Sequence, residues 1–429
     1  MTNLALPLRT QPSPFLRPHY QLAGGLLVAI AGPVVIRAAW RGETDVAFSQ
    51  NMGSSLAGTL AALLLGFWFY RKMTYFPGIR ANAYVLPSFV FSYGAVFAVY
   101  FFLRLDYSRF QVGMSLALAI VWFFSFNVAQ RRFRALRLAV VPGGNVRRLR
   151  QLGSIEWQWL GKAGAPPDGV DGVVVDLRAN LSQEWERFIS DAALSGTPVY
   201  HLKQVIESVS GKVDFERLSE NTLGSLNPNH LYLKLKQGTD WCVALAALFL
   251  YAPLAALIAL AIKLDSAGPA FYLQRRMGYR GRPFMLYKFR TMTVDGSRYR
   301  NAGIRNAITT LDDDRITRVG RILRRTRLDE LPQVINILRG EMSWIGPRPE
   351  ALVLSEWYEN ELPYYRYRHI VRPGITGWAQ VNQGHVAEID QVLEKLYYDF
   401  YYIKNFSMWL DLLIVMKTVR TVLNGFGAR

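Results

Sequence analysis

The first third of the chain carries four apolar runs separated by short polar segments. The runs cover residues 22–36, 56–70, 83–103 and 112–128. Each can be extended to the roughly 17 to 25 residues that a helix needs to cross about 30 Å of hydrocarbon. A removable signal peptide would leave the other three runs unexplained. The pattern therefore predicts four transmembrane helices within residues 1–136.

Basic residues are distributed unevenly around these runs. Residues 130–150 hold seven arginines, whereas 37–50 and 104–111 carry charges of both signs. Because cytoplasmic segments next to membrane helices are enriched in Lys and Arg, the N-terminus and the chain beyond Arg131 are predicted to face the cytoplasm.

Between residues 137 and 232 the pattern changes to short β-like runs separated by polar helical segments. The runs lie at 138–141, 170–177 and 198–202, and this alternation predicts a Rossmann-like α/β domain with a parallel sheet. The turn after the first run, Pro142-Gly143-Gly144-Asn145, is not a full GxGxxG motif, and no acidic residue is well placed to hold a ribose. A regulatory or dimerising role is therefore favoured over dinucleotide binding.

A fifth apolar run, 241–262, lies near the start of the remaining segment, 233–429. Pro253 stands near its middle, where the missing N–H and the ring break or kink a helix. Both flanks are basic, which favours a cytoplasmic location for both ends. We therefore predict a reentrant membrane helix broken at Pro253. An ordinary kinked spanning helix is the alternative, because proline is tolerated in membrane helices.

Composition and charge narrow the class of protein. The 429 residues are 51% hydrophobic and 19% charged, which excludes a disordered or collagen-like chain. The formal net charge of +18 suits anionic partners such as nucleic acid, acidic lipids or phosphate-bearing substrates. The single cysteine, Cys242, excludes an intrachain disulfide, and the five histidines show no ligand spacing, which argues against Cys/His zinc chemistry.

An acidic pair, Asp329-Glu330, lies among clustered arginines in the segment 311–350. Adjacent carboxylates repel each other, so a divalent cation is a natural third partner. Carboxylates, Mg²⁺ and guanidinium groups are together the parts that phosphoryl transfer requires. Two further basic turns, 288–292 and 372–380, suit an anionic ligand.

Motifs in this part of the chain carry a family resemblance. They read KFRTM at 288–292, RRTRLDELPQVIN at 324–336, GEMSWIGPRPE at 340–350, and RPGITGWAQVN at 372–382 followed by YYDFYYIKNFSMWLDL at 397–412. In this order they resemble the bacterial sugar transferase family of monotopic phosphoglycosyl transferases over residues 234–424. The preceding membrane and α/β segments resemble the larger members, which initiate capsule, exopolysaccharide or O-antigen synthesis.

The resemblance implies an enzyme of the bacterial inner membrane whose catalytic domain faces the cytoplasm. Such enzymes transfer a hexose 1-phosphate from a UDP-sugar to undecaprenyl phosphate and release UMP by a ping-pong mechanism. Carried onto this chain, the resemblance makes Asp329 the nucleophile of a covalent phosphosugar intermediate and Glu330 the ligand of Mg²⁺. It also implies a small α+β catalytic domain, membrane lipids as partners and a homodimer, with no nucleic acid.

The resemblance assigns the cations of these motifs to the substrate. The expected phosphate contacts are Arg324, Arg348, Lys288 and Arg290, and the expected nucleotide contact is Arg372. The chain departs from the family at Tyr251-Ala252, where some members have Ser-Pro, and at 383–385, where many have a Gly-Arg-Asn-like triplet.

Two other functions stay open from the sequence. The triplet Asp312-Asp313-Asp314 contains the DxD pattern of metal-dependent glycosyltransferases, which would release UDP instead of UMP. A membrane-anchored basic scaffold would bind nucleic acid or anionic lipid through its charge alone. Neither the transferred sugar nor the final polysaccharide can be predicted.

Overall fold

The computed structural model describes residues 18–41, 50–73, 82–133, 137–152, 155–164, 169–213, 228–293, 315–362, 364–383 and 389–423. Its contacts divide the chain into two compact units, Met1–Gly211 and Lys212–Arg429.

The first unit begins with apolar helices, as the four runs predict. They are α1 (Pro18–Leu26), a π-helical turn (Leu27–Ala31), α2 (Gly32–Arg41), α3 (Gln50–Met73), α4 (Asn82–Phe102) and α5 (Arg109–Phe133). Four stretches of these helices are long and apolar enough to cross a membrane. They share a core in which the rings of Phe89 and Phe123 stack with centroids 4.8 Å apart. Tyr70 donates a 2.7 Å hydrogen bond to Asn127 between α3 and α5, the kind of polar pair that links helices in lipid.

A parallel sheet follows in the same unit, which confirms the predicted α/β alternation. Its elements are β1 (Arg137–Val140), a 3₁₀ turn (Val146–Gln151), β2 (Glu156–Trp159), β3 (Gly172–Val175), α6 (Gln183–Leu194), β4 (Val199–His201) and α7 (Leu202–Ser210). The strand order is β2-β1-β3-β4, and all neighbours are parallel. Helix α6 packs on one hydrophobic cluster of the sheet through Phe188, and α7 on the other through Val205.

The loop between β1 and the 3₁₀ turn Val146–Gln151 is held by the carboxylate of Asp176. The Oδ2 atom of Asp176, after β3, accepts a 3.0 Å hydrogen bond from the Asn145 N–H. Gly144 has a φ of +58°, and a Cβ there would lie 2.3 Å from Asp176 Oδ2. The glycine therefore serves a tight turn over this carboxylate.

The second unit combines a long apolar helix with short helices and two two-stranded sheets. Its elements are α8 (His230–Asp265), β5 (Phe271–Met277), a 3₁₀ turn (Tyr279–Gly281), β6 (Pro283–Phe289), α9 (Arg318–Thr326), a 3₁₀ turn (Leu328–Gln333), α10 (Val334–Leu338), β7 (Ser343–Ile345), α11 (Leu352–Glu361), a 3₁₀ turn (Tyr365–Ile370), β8 (Gly374–Thr376), α12 (Trp378–Asn382), α13 (Ile389–Lys404) and α14 (Met408–Leu423). Strands β5 and β6 pair antiparallel, and β7 and β8 pair parallel.

Helix α8 packs along its length on the rest of this unit. Ala244 joins a cluster with β6 and α10, and Ile258 and Ile262 join a second cluster with β6 and α9. The opposite side is apolar and exposed, with Leu250 86% and Leu257 65% accessible. Pro253 lies inside α8, and the helix continues through it without the predicted break, because proline is tolerated within an apolar helix of this kind.

Both ends of α8 are tied to the unit by polar contacts. Lys236 forms a buried 2.8 Å ion pair with Asp411 of α14. At the other end, Asp265 accepts a 3.1 Å hydrogen bond from the N–H of Val319 in α9. The two ends of this long helix are therefore held by one folded body.

Candidate active site

The Asp329-Glu330 pair lies in the 3₁₀ turn Leu328–Gln333, directly before α10. The turn follows Arg327, whose φ of 60° lets the chain reverse direction after α9. Leu331 in this turn packs into the cluster formed by the C-terminal half of α8. As a result the pair is nearly buried, with Asp329 9% and Glu330 7% exposed.

Glu330 accepts charged hydrogen bonds from two cations on different elements. Its Oε1 atom lies 2.6 Å from Nη2 of Arg348 and 3.1 Å from Nζ of Lys288 on β6. Burial alone would raise the pKa of Glu330, but Arg348 and Lys288 outweigh it and hold the pKa well below its ordinary value. Glu330 is therefore a permanent anion that keeps the two cations in place.

Asp329 differs sharply from its neighbour. Among the residues that the structure describes, none forms a hydrogen bond or ion pair with its carboxylate. Burial raises the pKa of Asp329, Lys288 opposes this rise, and the negative charge of Glu330 adds to it. A poorly solvated carboxylate without a fixed partner is more reactive than a hydrated one, which suits a nucleophile.

The backbone around Arg348 is held by four successive carbonyl contacts. The carbonyl of Pro347 accepts from the N–H of Gly374 at 3.0 Å, and that of Glu350 accepts from the N–H of Met277 at 3.1 Å. Between them, the carbonyl of Arg348 accepts from Nη2 of Arg368 at 3.0 Å. The carbonyl of Pro349 accepts from Nη1 of Arg276 at 2.8 Å. The donors come from three parts of the unit, β5, β8 and the 3₁₀ turn Tyr365–Ile370, so the position of Arg348 is fixed from several sides.

Sequence reasoning missed the buried charged residues that support the backbone around Arg348. Arg368, 3% exposed, donates to Asp399 through Nε at 3.1 Å and Nη2 at 2.8 Å, and to the hydroxyl of Tyr365 at 2.6 Å. Glu350 pairs with Lys395. In the sequence these residues appear only as charges among aromatic residues. No pattern there indicates that Arg368 pairs with Asp399, 31 positions away.

Arg324, a predicted phosphate contact, lies near the Asp329-Glu330 pair. Its Nε donates a 2.9 Å hydrogen bond to Oγ1 of Thr291, just beyond β6. Helix α9 comes this close because Gly320 lies against the chain there, where a Cβ would meet the Thr291 carbonyl oxygen at 2.1 Å. The charge of Arg324 is also felt at Asp329, where it lowers the pKa.

Arg290, also a predicted phosphate contact, is engaged elsewhere. It is 5% exposed and donates to the carbonyls of Ala267 and Ser266 at 2.8 and 2.7 Å, just after α8. Cations are stabilising at the C-terminal end of a helix, where carbonyl groups lack partners. The structure therefore gives Arg290 a contact at the end of α8, and its contact with phosphate stays a prediction.

Arg372, the predicted nucleotide contact, lies beside α8 and a different loop. Its Nε donates to the carbonyl of Gly340 at 2.9 Å and its Nη2 to Gln237 of α8 at 3.0 Å. Its guanidinium also stacks on the ring of Tyr279 at 4.9 Å. The structure thus brings Lys288 and Arg348 into contact with Glu330, and gives Arg372 other partners.

The carboxylates of the site fit a magnesium ion that shares its ligands with substrate. Mg²⁺ typically takes one or two protein carboxylates and completes its shell with phosphate oxygens and water. Within the described chain no hydrogen bond reaches Oε2 of Glu330 or the Asp329 carboxylate. The described residues contain no group of three or more His, Cys, Asp or Glu side chains that could hold a metal. A bound ion would therefore need the substrate phosphates.

Two segments of the sequence prediction lie outside the described residues. They are the triplet Asp312-Asp313-Asp314 and the residues Gly384-His385.

Comparison with known proteins decides the family. A sequence model described as bacterial sugar transferase matches residues 231–425. A protein of Aeromonas hydrophila, the UDP-N-acetylgalactosamine-undecaprenyl-phosphate N-acetylgalactosaminephosphotransferase, is 43% identical over 408 residues, which cover 94% of each chain. The chain belongs to the bacterial sugar transferase family. It is a transferase, and the predicted resemblance is confirmed.

Other relatives match less than half of the chain. The UDP-glucose:undecaprenyl-phosphate glucose-1-phosphate transferase of Escherichia coli (strain K12) is 43% identical over 187 residues, which cover 43% of this chain and 39% of that protein. The enzyme of the same name from Caulobacter vibrioides is 45% identical over 190 residues, 44% of this chain and 69% of that protein.

Proposed function

We propose that this protein transfers a sugar 1-phosphate from a UDP-sugar to undecaprenyl phosphate and releases UMP. The relatives supply the donor and acceptor classes. The observation that supports the chemistry is the contrast within the acidic pair. Glu330 is fully engaged by Lys288 and Arg348, whereas Asp329 is buried and has no side-chain partner among the described residues.

The proposed reaction has two displacements at the same phosphorus. A carboxylate oxygen of Asp329 attacks the phosphorus that carries the sugar, its bond to the bridging oxygen breaks, and UMP leaves. The phosphate oxygen of the lipid acceptor then attacks that phosphorus and restores the Asp329 carboxylate. Lys288 and Arg348 offset the negative charge of the approaching phosphates, and Glu330 holds both cations in place. Magnesium, held by the two carboxylates with the diphosphate, would supply further charge neutralisation.

The packing of α8 supports the predicted reentrant helix. At 1.5 Å per residue its 36 residues would extend roughly 54 Å if straight, longer than a bilayer core. Yet both ends, and the inner face between them, contact one folded unit. We propose that α8 enters one leaflet from the cytoplasmic side, bends at Pro253 and returns. This arrangement places the acidic pair near the headgroups of the inner membrane, where the lipid phosphate lies.

The sugar is proposed from the relative that matches along the whole chain. That enzyme is named for N-acetylgalactosamine and matches over 94% of this chain, while the glucose enzymes match over less than half of it at similar identity. We therefore propose UDP-N-acetylgalactosamine as the donor, with UDP-glucose as the alternative.

The test is covalent labelling of the purified protein in nanodiscs. Incubation with UDP-N-acetylgalactosamine carrying ³²P in the sugar-linked phosphate, with Mg²⁺ and without acceptor, should leave label on the protein. The label should leave on addition of undecaprenyl phosphate. Asp329→Asn should abolish labelling and turnover, because an amide oxygen is a poor nucleophile, while Asp390→Asn, at an exposed site on α13, should label normally.

The product and the label together decide between mechanisms. Release of UDP instead of UMP would favour the glycosyltransferase function of the Asp312–Asp314 triplet. UMP release without label on the wild-type protein, under conditions of turnover, would argue for direct transfer. The predicted homodimer stays a prediction, which mass measurement of the protein in nanodiscs tests.

A further inference from the structure

Helix α9 presents a row of arginines to solvent. Arg318, Arg321 and Arg325 are exposed, and Ile322 among them is 63% exposed. Side chains spaced three and four residues apart share one face of a helix. The opposite face carries Leu323, which is buried against α8. The helix is therefore amphipathic, with an outer face that is almost entirely cationic.

The described part of the chain offers these three guanidinium groups no paired anion. In the part of the chain that the structure describes, no carboxylate forms an ion pair with Arg318, Arg321 or Arg325. On the inner side of the same helix, Arg324 is engaged by Thr291. Like charges three and four residues apart on a helix repel, so a bound anion would stabilise this outer face.

The location of α9 indicates which anion this is. Val319 and Leu323 pack with Ile262 near the end of α8. Near this contact the last turns of α8 expose leucine side chains, with Leu257 65% and Leu264 80% accessible. The arginine row therefore lies next to the place where an apolar, lipid-suited surface ends.

We propose that the outer face of α9 docks on anionic phospholipid headgroups. A basic helix face with an apolar residue among its cations is suited to the bilayer interface. Each arginine near an anionic leaflet contributes about 1 kcal/mol, roughly fivefold in affinity. In this arrangement Ile322 enters the headgroup layer, and the three arginines set the height of the adjoining acidic pair above the lipid. The inference rests on the proposed function only in taking α8 to lie in lipid.

An environment-sensitive fluorophore tests the docking without any assay of turnover. The full-length protein with Cys242→Ser and Ile322→Cys is labelled with NBD and placed in nanodiscs of phosphatidylcholine alone or mixed with phosphatidylglycerol. We expect a blue shift and increased emission in the anionic discs, and loss of this change near 1 M salt, where screening is nearly complete. Arg318→Gln, Arg321→Gln and Arg325→Gln together should remove it.

A matched variant controls for net charge. Arg187→Gln, Arg282→Gln and Arg366→Gln remove three exposed arginines elsewhere and should leave the lipid-dependent signal intact. Transfer rates should follow the probe, with the wild type faster in anionic than in neutral discs.

An unchanged probe signal in both lipids would overturn the docking, even if the enzyme were fully active. Loss of turnover by the triple variant in neutral discs would also contradict it, since that result would place these arginines in the chemistry. Docking without UMP release would instead count against the proposed reaction and leave the surface inference standing.

Discussion

At the scale of the residue, the site depends on an unequal acidic pair. Two adjacent carboxylates with similar burial acquire opposite pKa changes, because the cations of Lys288 and Arg348 are bonded to Glu330 alone. Burial raises the pKa of Asp329, and the charge of Lys288 partly offsets the rise. The proposed nucleophile is therefore sensitive to the loss of a cation that it does not contact.

Lys288→Met should move the acid limb of the reaction to higher pH. Asp329 reacts as the carboxylate, so the rate falls as pH drops through its raised pKa. Removing the charge that lowers this pKa raises it further. The measurement is the initial rate of protein labelling by ³²P-donor against pH, with the exposed Lys162→Met as control. An acid limb that stays in place while thermal stability is unchanged would contradict this electrostatic account.

Arg368→Lys should impair catalysis through the position of Arg348. A lysine cannot reproduce the contacts of the guanidinium with Asp399 and with the Arg348 carbonyl. A displacement near 1 Å costs about 100-fold in rate, so we expect a fall in kcat of about 10- to 100-fold. The acid limb should also move to higher pH, because Arg348 lowers the pKa of Asp329.

The shift of the acid limb distinguishes a displaced Arg348 from a loss of folded protein. Fewer folded molecules would lower the amplitude of labelling without moving its pH dependence. Arg366→Lys, at an exposed position two residues away, should change neither quantity.

At the scale of the element, close packing of α9 on β6 assembles the site. Gly320 allows the approach that joins Arg324 to Thr291, and the turn after α9 carries the acidic pair. Arg290, whose predicted contact with phosphate stays a prediction, has partners away from the acidic pair. Its motif neighbour Lys288 reaches Glu330, but two residues later the chain meets the end of α8, whose carbonyls engage Arg290.

Gly320→Ala should separate α9 from β6. The new Cβ would meet a backbone oxygen at 2.1 Å, which cannot move like a side chain, so overpacking should cost about 1 to 3 kcal/mol. Gly238→Ala in α8 is the matched control. A Cβ at Gly238 would meet no atom of the described chain within 4 Å beyond its own helix, and alanine should stabilise that helix by up to about 1 kcal/mol.

Thermal unfolding in detergent and labelling with ³²P-donor measure both effects. Equal stability and equal labelling of the two glycine variants would show that α9 tolerates the displacement.

At the scale of the whole molecule, the apolar helices and the charge distribution predict one orientation. We expect both the α/β domain and the catalytic part to lie on the cytoplasmic side, because arginines are concentrated beyond Arg131. In a Cys242→Ser background, cysteines at Arg147 and Arg366 should resist a membrane-impermeant maleimide in intact cells. A cysteine at Asp106, between α4 and α5, should react.

Labelling of the cysteine at Arg366 from outside would place the catalytic part beyond the reach of cytoplasmic UDP-sugars. Lysed cells, in which all three positions should react, provide the control for access.

The sequence determined the apolar helices, the parallel α/β sheet and the family, because each is encoded by local periodicity or by contiguous motifs. It did not indicate β2, whose half-exposed residues form no apolar run. Only the tertiary structure decided which acid of the pair is engaged and which is not. It alone placed Arg368 behind Arg348, and Arg290 at the end of α8. These outcomes depend on distances between side chains far apart in sequence, and hydrophobic patterning does not specify such distances.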